Sequence, residues 1–321
     1  MKNRVLALLF LISVTSAMAD TVVERQGFID VEGGPVWYKA VGQGPGVPLL
    51  VLHGGPGGTS CRFSLLDPLG AERPVVRYDQ LGTGRSGRPD DLSLWTVERF
   101  IEELHTLRQA LGLQRMHLLG HSWGASLAAA YVLEKGTAGI VSLTLSSPLL
   151  STPRWIEDAN LLRAQLPAEV QATLTEHEQA GTVDSEAYEA ASEVFYQRHV
   201  YGSAEPPELE ACEGAPWNPV IYEYMWGPTE FHATGTLLDF DVTPRLNKLD
   251  VPTLFVTGEF DEARPETVVA FQALVPGARF EVIEDAAHFT IGKKPDEYME
   301  VLEPFLDEAE AEALSSGDPI E

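Results

Sequence analysis

Short apolar runs recur along the chain, separated by amphipathic or polar stretches. Gly27-Phe28-Ile29-Asp30-Val31 and Pro35-Val36-Trp37-Tyr38-Lys39-Ala40-Val41 flank the turn-like Glu32-Gly33-Gly34, a pattern that predicts a β-hairpin. The continuous apolar run Leu49-Leu50-Val51-Leu52 reads as a buried strand and ends at His53-Gly54-Gly55-Pro56-Gly57-Gly58. Pro74 to Tyr78 is a further strand candidate, followed by the loop Asp79 to Ser86. Thr96 to Leu111 has helical character and leads to a short strand, Met116-His117-Leu118-Leu119. Ile140 to Leu145, Thr253 to Thr257 and Arg279 to Ile283 complete the strand candidates, and Pro295 to Leu306 reads as a last helix. Strands alternating with helices predict an α/β fold, a mostly parallel sheet with helices on both faces.

The rhythm breaks after Pro148. From Ser151 to Asp241 the chain is acidic, rich in aromatic residues and helical in period. This predicts an inserted helical cap over 151–241, with the α/β core formed by 20–150 and 242–307. Residues 308–321 are acidic and read as a frayed or solvated tail.

The first residues have another pattern. Lys2 and Arg4 precede an apolar run from Val5 to Val14, and Ala17-Met18-Ala19 is a small-x-small site before Asp20. Residues 1–19 therefore read as a secretory signal peptide, which implies a periplasmic or secreted protein with no stable membrane insertion after cleavage. The competing reading is an N-terminal anchor, although the run is short for a bilayer span. The two cysteines, Cys61 and Cys212, could pair in an exported chain or remain as free buried thiols, and sequence does not decide between these.

Composition narrows the function. The formal net charge is −26, which argues against nucleic acid and anionic membranes as partners. The chain has no Cys-x-x-Cys and no His-Glu-x-x-His, so neither a metal site nor a cofactor is expected. The glycine run at 53–58 lacks the Lys-Ser/Thr of a phosphate-binding loop.

Gly120-His121-Ser122-Trp123-Gly124 carries the most specific chemistry. It lies between a strand candidate and the helix-forming Ala125 to Leu133, the context of a nucleophile elbow that lifts a serine oxygen above a sheet. Such a serine needs a base, and the base needs an orienting acid. His288, in the loop after the last strand, is the favoured base. Asp261, just past the strand 253–257, is the favoured acid, with Glu259 and Asp285 as rivals. His121 should point away from the serine, and His53 should shape its glycine loop. The N–H groups of Trp123 and Gly55 are the expected oxyanion donors.

With these residues in place, the chain resembles the proline iminopeptidase (prolyl aminopeptidase) family of α/β hydrolases. The likeness rests on His53 to Gly58, Asp79 to Ser86 and Gly120 to Gly124, together with Tyr224-Met225-Trp226-Gly227-Pro228-Thr229-Glu230-Phe231, Gly235-Thr236-Leu237 and Gly258-Glu259-Phe260-Asp261. It extends to the branch that includes the tricorn-associated aminopeptidase and the L-amino-acid amidases. The resemblance implies an α/β-hydrolase fold with a helical cap. It also implies release of an N-terminal residue, often proline, from a short peptide or small-molecule amide with a free amino terminus. It implies that acidic cap residues hold the substrate amino group, Glu230 by its place in Gly-Pro-x-Glu-Phe and Glu193 as a second. Phe289-Thr290-Ile291-Gly292 lacks the tryptophan expected there, which departs from strict proline preference. An esterase or lactonase on the same triad is the alternative enzyme, and a non-catalytic binding protein of this fold the alternative of another class.

Overall fold

A computed structural model describes residues 23–202, 209 and 212–315. The signal-peptide reading, 1–19, lies outside the described residues. The hairpin forms from β1 (Glu24–Val31) and β2 (Gly34–Val41), with Gly33 at φ 96° in the turn. The first strand starts earlier than its apolar pattern, because Glu24, Arg25 and Gln26 pair with Val41, Ala40 and Lys39 along an exposed, charged edge.

β3 (Leu49–Leu52), β4 (Val75–Tyr78), β5 (Met116–His121), β6 (Ile140–Ser146), β7 (Thr253–Gly258) and β8 (Arg279–Ile283) join them in one eight-stranded sheet of order β1-β2-β4-β3-β5-β6-β7-β8. β2 runs antiparallel to β1 and β4, and all pairings from β4 to β8 are parallel. Parallel strands need crossovers; between β4 and β8 helices supply them, and two more helices follow β8. In chain order these are α1 (Val97–Ala110), α2 (Trp123–Lys135), α3 (Thr152–Arg163), α4 (Ala168–Ala180), α5 (Glu186–His199), α6 (Pro219–Met225), α7 (Pro265–Gln272), α8 (Thr290–Lys293) and α9 (Pro295–Ser315).

The continuous apolar strands follow from burial on both faces. Leu50 and Leu52 point into one cluster with Phe100, Leu104 and Leu107 of α1 and Leu127 and Tyr131 of α2. Leu49 and Val51 point the other way, into a cluster with Phe63, Leu66 and, from α9, Leu302, Phe305 and Leu306. Successive residues of a strand face opposite sides, so a strand covered twice has no polar position to spare.

Helices α3 to α6 occupy the stretch between β6 and β7. Its two ends meet: Ser151 bridges Asp241, Thr152 N–H donates to Phe240 O (2.8 Å) and Val242 N–H donates to Leu150 O (3.0 Å). Ala159, Leu162, Leu174, Tyr188, Phe195 and Phe231 form a small apolar core of its own. The C-terminal end of α5 docks on the sheet side, where His199 O accepts from Glu262 N–H (3.3 Å) and from His288 N–H (3.1 Å).

The acidic tail does not begin at Glu308 as its composition suggested. The last helix continues to Ser315, with Ala309 buried. Arg73 is itself buried and takes Asp307 and Glu310 as ion-pair partners, and Glu310 also meets His117 Nε2 at 3.0 Å. A buried guanidinium requires paired carboxylates, so Glu310 is held against the fold while Asp307 reaches Arg73 from the solvent side. Among the described residues no helix is long and apolar enough to cross a membrane.

Candidate active site

The loops at the carboxyl ends of the parallel strands converge on Ser122, as expected for an open α/β sheet. Ser122 follows β5 directly and has φ 57° and ψ −122°, a conformation that side chains rarely adopt. Its N–H donates to Ser146 O of the neighbouring strand (2.9 Å), and its carbonyl accepts from Ala125 and Ser126 N–H in the first turn of α2 (2.9 and 3.2 Å). The flanking glycines are required by close approach. A Cβ at Gly120 would lie 2.2 Å from Gly124 O, and one at Gly124 would lie 2.3 Å from Leu52 O.

The glycine loop after β3 runs beside the serine. A Cβ on Gly54 would sit 3.0 Å from Ser122 Cβ, and Gly55 has φ 120°. Gly54, Gly55 and Ser122 line one cavity. His53 is buried and holds the loop: its Nδ1 donates to Gly54 O (2.9 Å) and its Nε2 accepts from Gln80 N–H (3.0 Å). Burial outweighs the nearby Asp79 charge and lowers the His53 pKa, which favours the neutral ring these bonds need. Gln80 then ties two loops together, donating to His53 O (2.9 Å) and accepting from Trp123 Nε1 (2.9 Å). Trp123 is fully buried, and its backbone N–H is at the first turn of α2, where helical donors lack intrahelical partners.

The structure brings His288 and Asp261 together, with Nδ1 and Oδ1 2.8 Å apart. Asp261 is held on its other sides by Thr257 Oγ1 (2.9 Å) and Ala263 N–H (2.8 Å). Burial alone would raise the Asp261 carboxyl, but the charge and hydrogen bond of His288 reverse this and the net direction is down. Burial alone would lower His288, but Asp261 and then Glu230 raise it above its ordinary value. Asp261 is thus placed to stabilise the imidazolium that forms once His288 takes a proton. The rivals Glu259 and Asp285 are exposed and bond to each other's loop, Asp285 N–H donating to Glu259 Oε2 (3.1 Å). His121 does not turn away from the site. Its ring centroid lies 4.9 Å from that of His288, and burial together with the His288 charge lowers its pKa to about 3, leaving it neutral.

Above these groups is a cavity of about 770 Å³, walled by Ser122, His121 and His288 below and by Tyr196, Tyr222 and Glu230 from the helical segment. Glu230 faces it from the loop after α6, its carbonyl accepting from Trp155 Nε1 (2.9 Å). Burial raises the Glu230 pKa, partly offset by His288. Sequence reasoning missed the second carboxylate. Glu262, next to Asp261, is 2% exposed, and neither of its carboxyl oxygens has a hydrogen-bond partner in the structure. One oxygen is 3.8 Å from His288 Nε2. Burial, then Glu230 and Asp261, push the Glu262 pKa well above the carboxylate range. Tyr222 OH is buried beside Glu230 and also lacks a hydrogen bond of ordinary geometry.

Glu193 is not brought to this site. It is exposed on α5, accepts from Gln197 Nε2 (2.5 Å) and lies outside the cavity lining. Tyr188, Ala191, Ser192, Phe195 and His199 form the buried face of that helix, and Glu193 falls off it. Cys61 and Cys212 are joined in a disulfide with Cα atoms 4.8 Å apart, fastening the segment after β3 to the chain before α6 at the cavity wall.

The family model for the α/β hydrolase fold matches residues 47–295. A proline iminopeptidase of Heyndrickxia coagulans is 45% identical over 283 residues, which span 88% of this chain and 98% of the relative. One of Lactobacillus crispatus is 35% identical over 291 residues, 88% of this chain and 98% of the relative. The crystal structure of a proline iminopeptidase of Mycobacterium smegmatis is 35% identical, with a TM-score of 0.81 and coverage of 90% of this chain and all (100%) of that one. Sheet order, crossovers and family match make this molecule an α/β hydrolase, and a serine hydrolase by its class. The chain belongs to the proline iminopeptidase family.

Proposed function

We propose that this is an exported serine aminopeptidase. It releases proline or another small or apolar residue from the amino terminus of short peptides, or hydrolyses the corresponding amino-acid amides, through an acyl-enzyme. The observation that carries this reading is Glu230, which lines the cavity with Ser122 and His288, together with the buried Glu262, one oxygen of which is 3.8 Å from His288 Nε2. Glu262 is buried with both carboxyl oxygens unfilled, Glu230 stands half-buried near it, and both pKa values are raised, which makes a poor resting arrangement. A substrate ammonium supplies both the missing donors and the missing charge.

Chemistry then follows from placement. The Ser122 oxygen attacks the carbonyl carbon of the first residue while His288 Nε2 takes its proton. Asp261 holds Nδ1–H and stabilises the imidazolium, in keeping with the raised His288 pKa. Charge developing on the carbonyl oxygen is met by the N–H groups of Gly55 and Trp123. His288 returns the proton to the leaving amine as the tetrahedral species collapses. Water, activated by the same histidine, releases the acyl group and restores Ser122. Glu193 has no part in this sequence.

The test is a panel of aminoacyl arylamides with free or acetylated amino groups, with simple esters alongside. Free-amine substrates should exceed their acetylated partners in kcat/KM by about tenfold or more, the scale of one charge-assisted hydrogen bond. Equal turnover of the two sets would remove the aminopeptidase reading and favour an esterase.

Export rests on Lys2, Arg4, the apolar run and Ala17-Met18-Ala19, and a disulfide between Cys61 and Cys212 suits an oxidising compartment. The mature protein from its native host should begin at Asp20. N-terminal sequencing that finds Met1 on the soluble protein would refute export.

A further inference from the structure

Among the described residues that line the catalytic cavity, Arg62 is the only lysine or arginine, while Asp184, Glu223 and Glu230 are all acidic. Arg62 is exposed, so it stands at the solvent side of the cavity, not in its floor. Its backbone is anchored next door by the Cys61–Cys212 disulfide. Its guanidinium carbon lies 5.5 Å from the centroid of the Phe289 ring, and Phe289 directly follows His288. Its charge reaches inward as well, since it is among the causes that lower His121 and that temper the raised Tyr201 pKa. Among the described residues no carboxylate forms an ion pair with it. An arginine stacked on an aromatic ring keeps its N–H edge free, and that planar edge matches a carboxylate.

We propose that Arg62 binds the free C-terminal carboxylate of the substrate, so that the preferred substrates are free di- and tripeptides. The inference rests on the aminopeptidase reading above. With the ammonium held at Glu230 and Glu262 and the first carbonyl at Ser122, the rest of the peptide must leave toward the open side of the cavity. That side carries Arg62. Each further residue moves the carboxylate outward by at most about 3.6 Å, so only short peptides keep it within reach of one arginine side chain. The surrounding charge makes the contact decisive. Asp184, Glu223 and Glu230 disfavour a carboxylate in this cavity, and Arg62 is the cation that can admit one.

The experiment compares prolyl dipeptides and tripeptides as free acids with the same peptides as C-terminal amides. The readout is the acid-to-amide ratio of kcat/KM within each protein, which cancels general damage to the enzyme. In the wild type the free acid should lead by about tenfold, through KM, and the lead should shrink at high salt because the site is exposed. Arg62→Gln should bring the ratio close to one, Arg62→Lys should keep part of it, and Arg62→Glu should invert it in favour of the amide. A pentapeptide acid should show no lead over its amide. A wild-type ratio near one, or a ratio that survives Arg62→Gln, would overturn the proposal. The prolyl arylamide, which has no carboxylate, separates the two readings. If the wild type fails to cleave it, the aminopeptidase reading fails; if it cleaves the arylamide and shows no acid preference, only the role of Arg62 does.

Discussion

Ser122→Ala is expected to fold normally and to lose turnover by at least about 10⁴-fold, the scale seen when a triad nucleophile is removed. The expectation is local in origin. The backbone at this position is fixed by Ser146 O, by the first turn of α2 and by the close approach of Gly120 to Gly124, none of which uses the serine oxygen. Alanine keeps the Cβ and inherits the same φ of 57°, so the strain of the elbow is unchanged. What disappears is the one oxygen that can form the acyl-enzyme. Near-UV circular dichroism and thermal unfolding should match the wild type, while single-turnover assays show no burst. A serine-directed phosphonylating reagent should label the wild type at Ser122 and leave the variant unmodified. A folded variant with wild-type kcat would end the acyl-enzyme mechanism.

The elements that position Ser122 were legible because each has a local cause. Apolar runs of strand length, the turn at Gly33 and the paired glycines around Ser122 encode their geometry within a few residues. The helical stretch from Ser151 to Asp241 was visible as a change of period, and its ends do meet. What escaped depends on contacts distant in sequence. Glu262 reads as one more acid in an acidic loop, and only the docking of α5, through His199 O, places it among buried groups. The Cys61–Cys212 pairing spans 151 residues and had no local signal. Glu310 looked like tail because its partner, the buried Arg73, is 237 positions away. Glu193 misled for the opposite reason: its neighbourhood suited an acidic cap residue, but its helical phase directs it to solvent. The apolar positions Tyr188, Ala191 and Phe195 carry that phase.

The two site carboxylates differ from ordinary surface acids. Most of the 48 acidic residues can be solvated at little cost, so the charge of the chain says little about the site. Glu230 and Glu262 are set apart by lost solvation: Glu262 is buried, Glu230 is half-buried, both pKa values are raised, and His288 offsets this only in part at Glu230. Such an arrangement opposes folding, and a site retains it when a ligand supplies the missing charge.

Replacing both carboxylates, Glu230→Gln with Glu262→Gln, should lower kcat/KM for free-amine peptides by about a hundredfold. A charge-assisted hydrogen bond contributes roughly 1.5–3 kcal/mol and about 1.4 kcal/mol corresponds to one decade, so each single change should cost about tenfold or more. Both side chains would contact one ammonium, so their effects need not add. Esters without an amino group never use the contact and should be cleaved by the variants as by the wild type. Stability should move the other way. The folded-state pKa of Glu262 is raised above 4.5, so the folded protein binds more protons than the unfolded chain and loses stability as pH rises through that raised value. Glu262→Gln removes this penalty. Its melting temperature should exceed the wild type's by a few degrees near neutral pH, and the difference should close below about pH 4.5, where the carboxyl is protonated in both states. A merely structural glutamate would give the reverse, a lower melting temperature and equal losses on esters and peptides. That pair of results would separate Glu262 from the substrate amine altogether.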